Sequence, residues 1–204
     1  WVDFWDLTKA STGAGQSLAF DPAVADAGGV HILNTLTLTG DAADALVLQS
    51  TVPGSQWQIW PEDAYAVDYV SVSDSKNASP TVETIHVANG TDAGNNTGWI
   101  FGAPAVTLAS DLNPAPEESV INFTATTAPA GAGGLVTFMN GATAIPGCVD
   151  VPVVNDTAVC TVNSLEDGSY AITAVYTTFS PLAPATSNVV TQAVGSVVTV
   201  ELAS

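Results

Sequence analysis

No stretch of this chain sustains a helical period. Apolar residues come instead in short alternating or β-branched runs, punctuated throughout by Gly, Pro, Asn and Asp. The one Ala-rich stretch, Asp21 to Gly29, contains Pro22 and ends in two glycines, so it reads as a turn or a single helical turn. An all-β fold is the expectation.

The 204 residues allow one large domain or two ordinary ones. The spacing of the runs changes at Ala103-Pro104, which is taken as the boundary. Residues 1–102 carry short, nearly evenly spaced runs: Ser17–Phe20, Ile32–Thr39, Ala45–Gln49, Gln56–Trp60, Ala66–Ser73, Thr84–Ala88 and Gly98–Phe101. That pattern suits a parallel β-solenoid, with Leu36 and Leu38, Leu46 and Leu48, then Trp57 and Ile59 stacking as successive inward rows. Alternation alone fits an antiparallel sandwich nearly as well. Residues 103–194 carry the runs Ala105–Ala109, Val120–Thr126, Gly134–Met139, Val149–Val154, Ala158–Val162, Tyr170–Thr177 and Asn188–Val194, the strand count of an immunoglobulin-like sandwich. Asn140-Gly141 is a hairpin turn signal between two of them.

Charge narrows the function classes. Twenty Asp and Glu face only Lys9 and Lys76, a net charge of -18 with no Arg. Such a chain repels phosphate backbones and anionic lipid, which disfavours nucleic-acid and membrane-surface partners, and any Arg clamp on phosphate is excluded. No apolar run approaches the ~20 residues of a membrane span. Trp1 is not an initiator Met, which suits a mature product or an excised portion of a longer chain. Cys148 and Cys160 have no further Cys or nearby His to complete a zinc site, so an extracellular disulfide is favoured over an incidental or metal-binding pair. Closing so short a loop contributes about 3 kcal/mol.

The second half resembles the bacterial Ig-like repeat domains of long surface and secreted proteins. The residues that carry the likeness are Gly134-Leu-Val-Thr-Phe-Met-Asn-Gly141, Ile145-Pro-Gly-Cys148, Thr157-Ala-Val-Cys160 and Leu165 to Tyr176. Thr177-Thr178-Phe179 replaces the usual Gly-Asp after the Tyr strand. The first half is similar to the closing coils of secreted β-helix proteins, through Leu36–Gly40, Leu46–Thr51, Pro53–Trp57, Tyr69–Ser79 and Asp92–Phe101. Both resemblances imply an extracellular scaffold or display module rather than a reaction.

Candidate chemistry is sparse. A lyase on such a scaffold needs a cation, and Lys76 falls in a predicted turn. A glycoside hydrolase needs two carboxylates in one cleft. Glu62 and Asp63, or Asp68 and Asp74, are the close pairs. On one extended strand the second pair would stand about 20 Å apart. His31 and His86 read as hydrogen-bonded strand residues. No enzymatic activity and no resident cofactor is expected. Calcium is the one plausible ion, at Asp92 and Asn95 in one turn or at Asp111, Glu117 and Glu118 after the boundary. Among the Asn-x-Ser/Thr sequons, Asn77, Asn89 and Asn95 fall in predicted loops and are the glycosylation candidates. Residues 103–204 contain no Lys, so a Lys–Asn cross-link cannot brace the Ig-like half.

The remaining feature is the tail. Residues 195–204 follow the last sandwich strand, and Ser196, Val197, Val198, Thr199, Val200, Glu201 and Leu202 form a surplus β-branched strand. At the other end Trp1-Val-Asp-Phe-Trp5 opens a solenoid with no capping segment. An orphan strand and an open edge together predict association of copies, head-to-tail or by strand exchange, in a surface filament or sheath. The alternative is an adhesin or stalk fragment joined to neighbouring repeat modules, binding surface glycan on Trp57, Trp60 and Tyr65.

Overall fold

The computed structural model describes residues 1–11, 13–23, 29–163 and 165–195. The chain divides into two compact units, Trp1–Ala103 with Ser180–Leu182, and Pro104–Phe179 with the chain from Ala183 on. No α-helix occurs among the described residues.

The first unit runs through β1 (Val2–Ala10), β2 (Ser17–Phe20), β3 (Val30–Thr39), β4 (Leu46–Ser50), β5 (Trp57–Pro61) and β6 (Ala64–Asp68). It continues with β7 (Val70–Val72), β8 (Ser75–Asn77), β9 (Ile85–Val87), β10 (Thr91–Asp92) and β11 (Trp99–Phe101). Every ladder among these strands is parallel. One sheet runs β1-β3-β5-β8 with β6 also on β3, a second runs β10-β7-β4-β2, and β9 pairs with β11. Parallel neighbours need a long crossover between them. Here each crossover is a passage through the other sheets rather than a helix.

The predicted inward rows need one correction. Leu36, Leu38, Leu46, Leu48, Trp57 and Ile59 are all buried, but they do not stack on one another. Leu36 and Leu38 lie beside Tyr65 and Val67, Leu46 and Leu48 beside Val70 and Val72, and Trp57 and Ile59 beside Ser75 and Asn77. The three runs are therefore successive sides of one passage around the core. Their stacking partners come from the next passage.

Tight corners separate those sides. Tyr69 and Asp74 adopt φ of 49° and 52°, which cuts the predicted Ala66–Ser73 run into β6 and β7. Gly40 sits where no side chain fits: a Cβ there would collide with the Tyr69 carbonyl and the Leu46 amide.

The second unit contains β12 (Ala105–Ser110), β13 (Val120–Ala128), β14 (Leu135–Asn140), β15 (Thr143–Ala144), β16 (Val151–Pro152), β17 (Thr157–Asn163), β18 (Gly168–Thr177), β19 (Ala185–Thr186) and β20 (Val190–Val194). Sheet β12-β13-β17 faces a second sheet of β14 and β18 with β15, β16, β19 and β20, and all the strand ladders are antiparallel. Alternate residues Ile121, Phe123, Ala125, Val136, Phe138, Ile172, Ala174 and Tyr176 meet between the sheets. The expected hairpin forms, with Asn140 paired to Thr143 and Gly141 in the loop at φ 57°. The expected Val149–Val154 strand shrinks to two residues. Positive φ at Asp150, Asn155 and Asp156 turns the chain on both sides of it, and Pro152 has no N–H for a ladder.

Side chains join the two sheets along one edge. Asn188 exchanges two hydrogen bonds with the Leu108 backbone, at 2.9 and 3.0 Å. The fully buried Gln192 accepts from Ser110 Oγ at 2.6 Å and donates to the Leu112 and Ala193 carbonyls. A buried amide with every group satisfied costs little and fixes the register of β20.

Candidate functional site

The outward side of the first unit gathers a cluster around His31 in β3. Register places Asp3, His31 and Trp60 side by side across β1, β3 and β5. The His31 Nδ1 lies 3.0 Å from Asp3 Oδ1, and its Nε2 lies 2.9 Å from Glu62 Oε1. Trp60 packs on the imidazole at 4.5 Å between ring centroids, and Trp1 meets Trp60 edge-on at 5.1 Å. Asp3 and His31 are 28 residues apart, and only the parallel register joins them. No local motif announces this cluster, which sequence reasoning missed.

Among the described residues β1 is an edge strand, bonded on one side to β3. Its residues Val2, Phe4, Leu7 and Lys9 align with the core residues Val30, Ile32, Leu36 and Leu38, so they share the inward side. A break in register between Phe4 and Asp6 keeps both halves of the strand in phase with the core. Val2, Phe4, Leu7, Leu18, Phe20 and Trp57 line a cavity of about 270 Å³ at this end of the core. Lys9 is the exception in the apolar row, and its Nζ donates to Gln16 Oε1 at 2.6 Å. Trp1 is 42% exposed, Phe4 39% and Trp5 68%. An apolar edge of this kind is an association surface unless it is covered.

Most carboxylates assigned candidate roles hold corners instead. Asp74 accepts from Asn95 Nδ2 at 2.7 Å and from the Gly54 amide at 3.0 Å. The Asn95 bond, then the Gly54 bond, holds its carboxyl below the usual range. Asp68 accepts two bonds from Asn89. Asp68 and Asp74 therefore do not share a strand: a corner follows Asp68, Asp74 itself forms the next one, and an asparagine of the next passage clamps each. Glu62 is turned toward His31, away from a partnership with Asp63. Lys76 lies in β8, exposed, rather than in a turn.

The calcium candidates are dispersed by the same bonding. Asp92 Oδ1 takes the Gly94 amide and Asn96 Nδ2, while Asn95 faces Asp74. Asp111 takes both the amide and the side chain of Asn122, the amide first, which lowers its pKa. Glu117 and Glu118 border Glu166 and Asp167 instead. Among the described residues no three His, Cys, Asp or Glu side chains converge on a metal position. Asn77 is buried, with Nδ2 donating to the Val82 carbonyl at 2.7 Å, so it cannot carry a glycan. Asn89 and Asn95 are exposed, each amide nitrogen resting on a carboxylate. The proposed sugar platform also dissolves: Trp57 and Tyr65 are buried, and Trp60 alone faces outward. The strand expected over Ser196–Leu202 lies outside the described residues.

His86 in β9 is buried, its Nε2 2.9 Å from the Gly102 carbonyl. Desolvation pushes its pKa down, more than the Gly102 bond raises it. The folded unit thus holds His86 neutral, whereas the unfolded chain binds a proton near pH 6.5. Stability of the first unit is whole above that pH and falls as the medium is acidified below it. Thermal unfolding of the parent and of His86→Gln between pH 7.5 and 4.5 checks this: the variant loses less stability over the acid range, and identical slopes would refute the assignment.

In the second unit Cys148 and Cys160 form a disulfide with Cα atoms 5.4 Å apart. Both are buried, and the bond ties the segment after β15 to β17 across the sandwich. The disulfide suits an extracellular protein. No helix among the described residues is long and apolar enough to cross a membrane.

Comparison with known proteins reaches the second unit. A fibronectin(III)-like module of CbhA from Clostridium thermocellum aligns with 46% of this chain and 99% of its own, at 22% identity and a TM-score of 0.39. None of the curated proteins compared matches the chain. The family model described as "Bacterial Ig-like domain (group 3)" matches residues 106–195 and leaves residues 1–105 unmatched. Residues 106–195 are thus similar to a bacterial Ig-like domain of group 3.

Proposed function

We propose that this chain is a non-enzymatic structural subunit of an extracellular filament, sheath or appendage, built from a β-solenoid-like module and an Ig-like domain. The observation that carries the reading is that, among the described residues, β1 is bonded on one side to β3, with Val2, Phe4 and Trp5 exposed beside an apolar cavity. All-parallel ladders with partners drawn from successive passages support the solenoid description. The use of Asp68, Asp74 and Asp111 as corner clamps supports a scaffold over a catalyst. Copies associate head-to-tail or by strand exchange, and the β-branched Ser196–Leu202 segment is the strand exchanged.

Removing residues 196–204 leaves the bond from the Gly195 amide to the Ala115 carbonyl in place. Negative-stain microscopy of the parent, with and without calcium, is expected to show regular fibres, and the truncated chain dispersed particles. Fibres of normal length from the truncated chain would refute the strand-exchange reading. A change in the parent's fibres on chelation would assign calcium a place at the joint.

A second reading, a glycan-binding stalk, is favoured by one observation. Trp1 and Trp60 stand on the outer surface beside the carboxylates of Asp3 and Glu62, a mixture of apolar ring and acceptor oxygens that suits a sugar.

A further inference from the structure

We infer that His31 is a proton-operated clasp: its imidazolium holds Asp3 of β1 and Glu62 of the β5–β6 corner together, and loss of that proton lets the first half of β1 loosen. The inference goes beyond association between copies and does not depend on it. The cluster lies on the outward face of the sheet, so the clasp works whatever lies along the far edge of β1.

The first argument is a count of donors. Asp3 Oδ1 stands 3.0 Å from Nδ1, and Glu62 Oε1 stands 2.9 Å from Nε2. A neutral imidazole has one N–H and one lone pair, whereas an imidazolium has two N–H groups. In either neutral tautomer, one ring nitrogen therefore points a lone pair at a carboxylate. Nε2 is sealed from water, and Glu62 is out of line for a hydrogen bond to it, so solvent does not relieve that opposition. With both nitrogens protonated, both contacts are attractive. Trp60 packs on the ring at 4.5 Å between centroids, and an aromatic face there also favours the cation.

The second argument is the division of β1. A register break separates Val2–Phe4 from Asp6–Ala10. The second half is fastened by Asp6, which accepts from Asn34 Nδ2 and the Thr35 amide at 2.9 and 3.1 Å, and by Lys9, which donates to Gln16. Neither Asp6 nor Lys9 belongs to a residue type that titrates near neutral pH. The first half is three residue pairs long, and the side-chain bond that ties it to β3 is Asp3 to His31. The Asp3 side chain is 62% exposed and that of Glu62 41%. Either can swing into water once the ring offers a single donor.

The other charges on these elements do not replace the proton. Lys9 lies on the inward side of β1, Lys76 of β8 is in register with Gln58 rather than Trp60, and β3 carries no charged residue besides His31. Asp63, next to Glu62, adds a further negative charge. An amine at Trp1, whose ring meets that of His31, would persist in His31→Gln, which tells the two apart. Fastening is complete on the acid side, where the ring is doubly protonated, and is lost as the pH rises. His86 acts in the opposite sense and on the whole unit, so the two halves of β1 are the quantities to compare.

The test is hydrogen exchange of the full chain, followed by nuclear magnetic resonance at about pH 5.5 and about pH 8, on either side of the ordinary imidazole value near 6.5. Rates are corrected for the intrinsic pH dependence of exchange. Protection of the bonded amides in Val2–Phe4, relative to those in Leu7–Ala10, should fall about fivefold on the alkaline side, the scale of a partly exposed charged bond. His31→Gln should show the lower ratio at both pH values. Glu62→Gln should keep the higher ratio at both, because its amide can donate to Nε2 while the Nδ1 proton stays on Asp3. Nitrogen-15 shifts of the imidazole should show hydrogen on both ring nitrogens in the fastened state. Leu7–Ala10 report in every variant that the unit is folded. A ratio that does not change in the parent, one that falls equally in His31→Gln, or a fall in Glu62→Gln like the parent's would each overturn the proposal.

Discussion

Replacing Trp57 with alanine is expected to lower the stability of the first unit by about 3–5 kcal/mol, the usual cost of deleting a large buried aromatic. Trp57 is 1% exposed and carries three roles at once. Its ring stacks on Phe20 with 14° between the planes, it lies in parallel register with Ser75, and its Nε1 donates to the Ser73 carbonyl at 3.0 Å. Alanine removes the apolar filling and also leaves the Ser73 carbonyl without that donor in a half-buried corner. The cavity already beside Trp57 would open into the space the indole vacates, which limits relaxation and keeps the cost high. Denaturant unfolding followed by tryptophan fluorescence reads this directly. The four remaining tryptophans, Trp1, Trp5, Trp60 and Trp99, all lie within the first unit. Phe at position 57 should recover most of the loss, because it keeps the stack and forfeits only the hydrogen bond. A loss below about 1 kcal/mol for alanine would show that the core at this end is not packed as described.

Opening the Cys148–Cys160 disulfide should act on the other unit alone. The bond closes a loop with a separation of 12 residues, for which loop-closure entropy assigns about 3 kcal/mol. Replacement of both cysteines by alanine adds the loss of two buried sulfurs, so the double variant should fall further than the reduced parent. The Phe138 amide donates to the Cys148 carbonyl at 2.9 Å, so loosening Cys148 frees a contact on the central strand β14. Far-ultraviolet circular dichroism should report an earlier transition for the Ig-like domain, while tryptophan fluorescence of the first unit stays where it was. A fluorescence transition that moves equally would mean that the two units unfold as one.

Much of the Ig-like domain was legible along the chain because its contacts obey local rules. Alternation put Phe123, Phe138 and Tyr176 in the core, Asn140-Gly141 marked its hairpin, and the cysteine pair formed its bridge. The failures were local as well: Val149–Val154 alternates like a strand, yet positive φ at Asp150 and Asn155 ends it almost at once. The first unit was harder. Its strand Val2–Ala10 escaped notice because its residues are largely exposed and do not alternate in hydrophobicity.

The all-β class, the acidic character and the inward side of each main run could be read from the chain alone. Those follow from composition and from a period of two, which any local window contains. Which runs stack on which emerges only in the folded chain. There Leu36 lies beside Tyr65 and not on Leu46, Asp68 and Asp74 are clamped by Asn89 and Asn95, and Asp3, His31 and Glu62 meet. A parallel ladder pairs residues a whole passage apart, and the length of that passage is set by corners such as Tyr69, Asp74 and Gly40 rather than by any repeat in the chain. Register is therefore a property of the closed passage, and every candidate site in this unit depends on register.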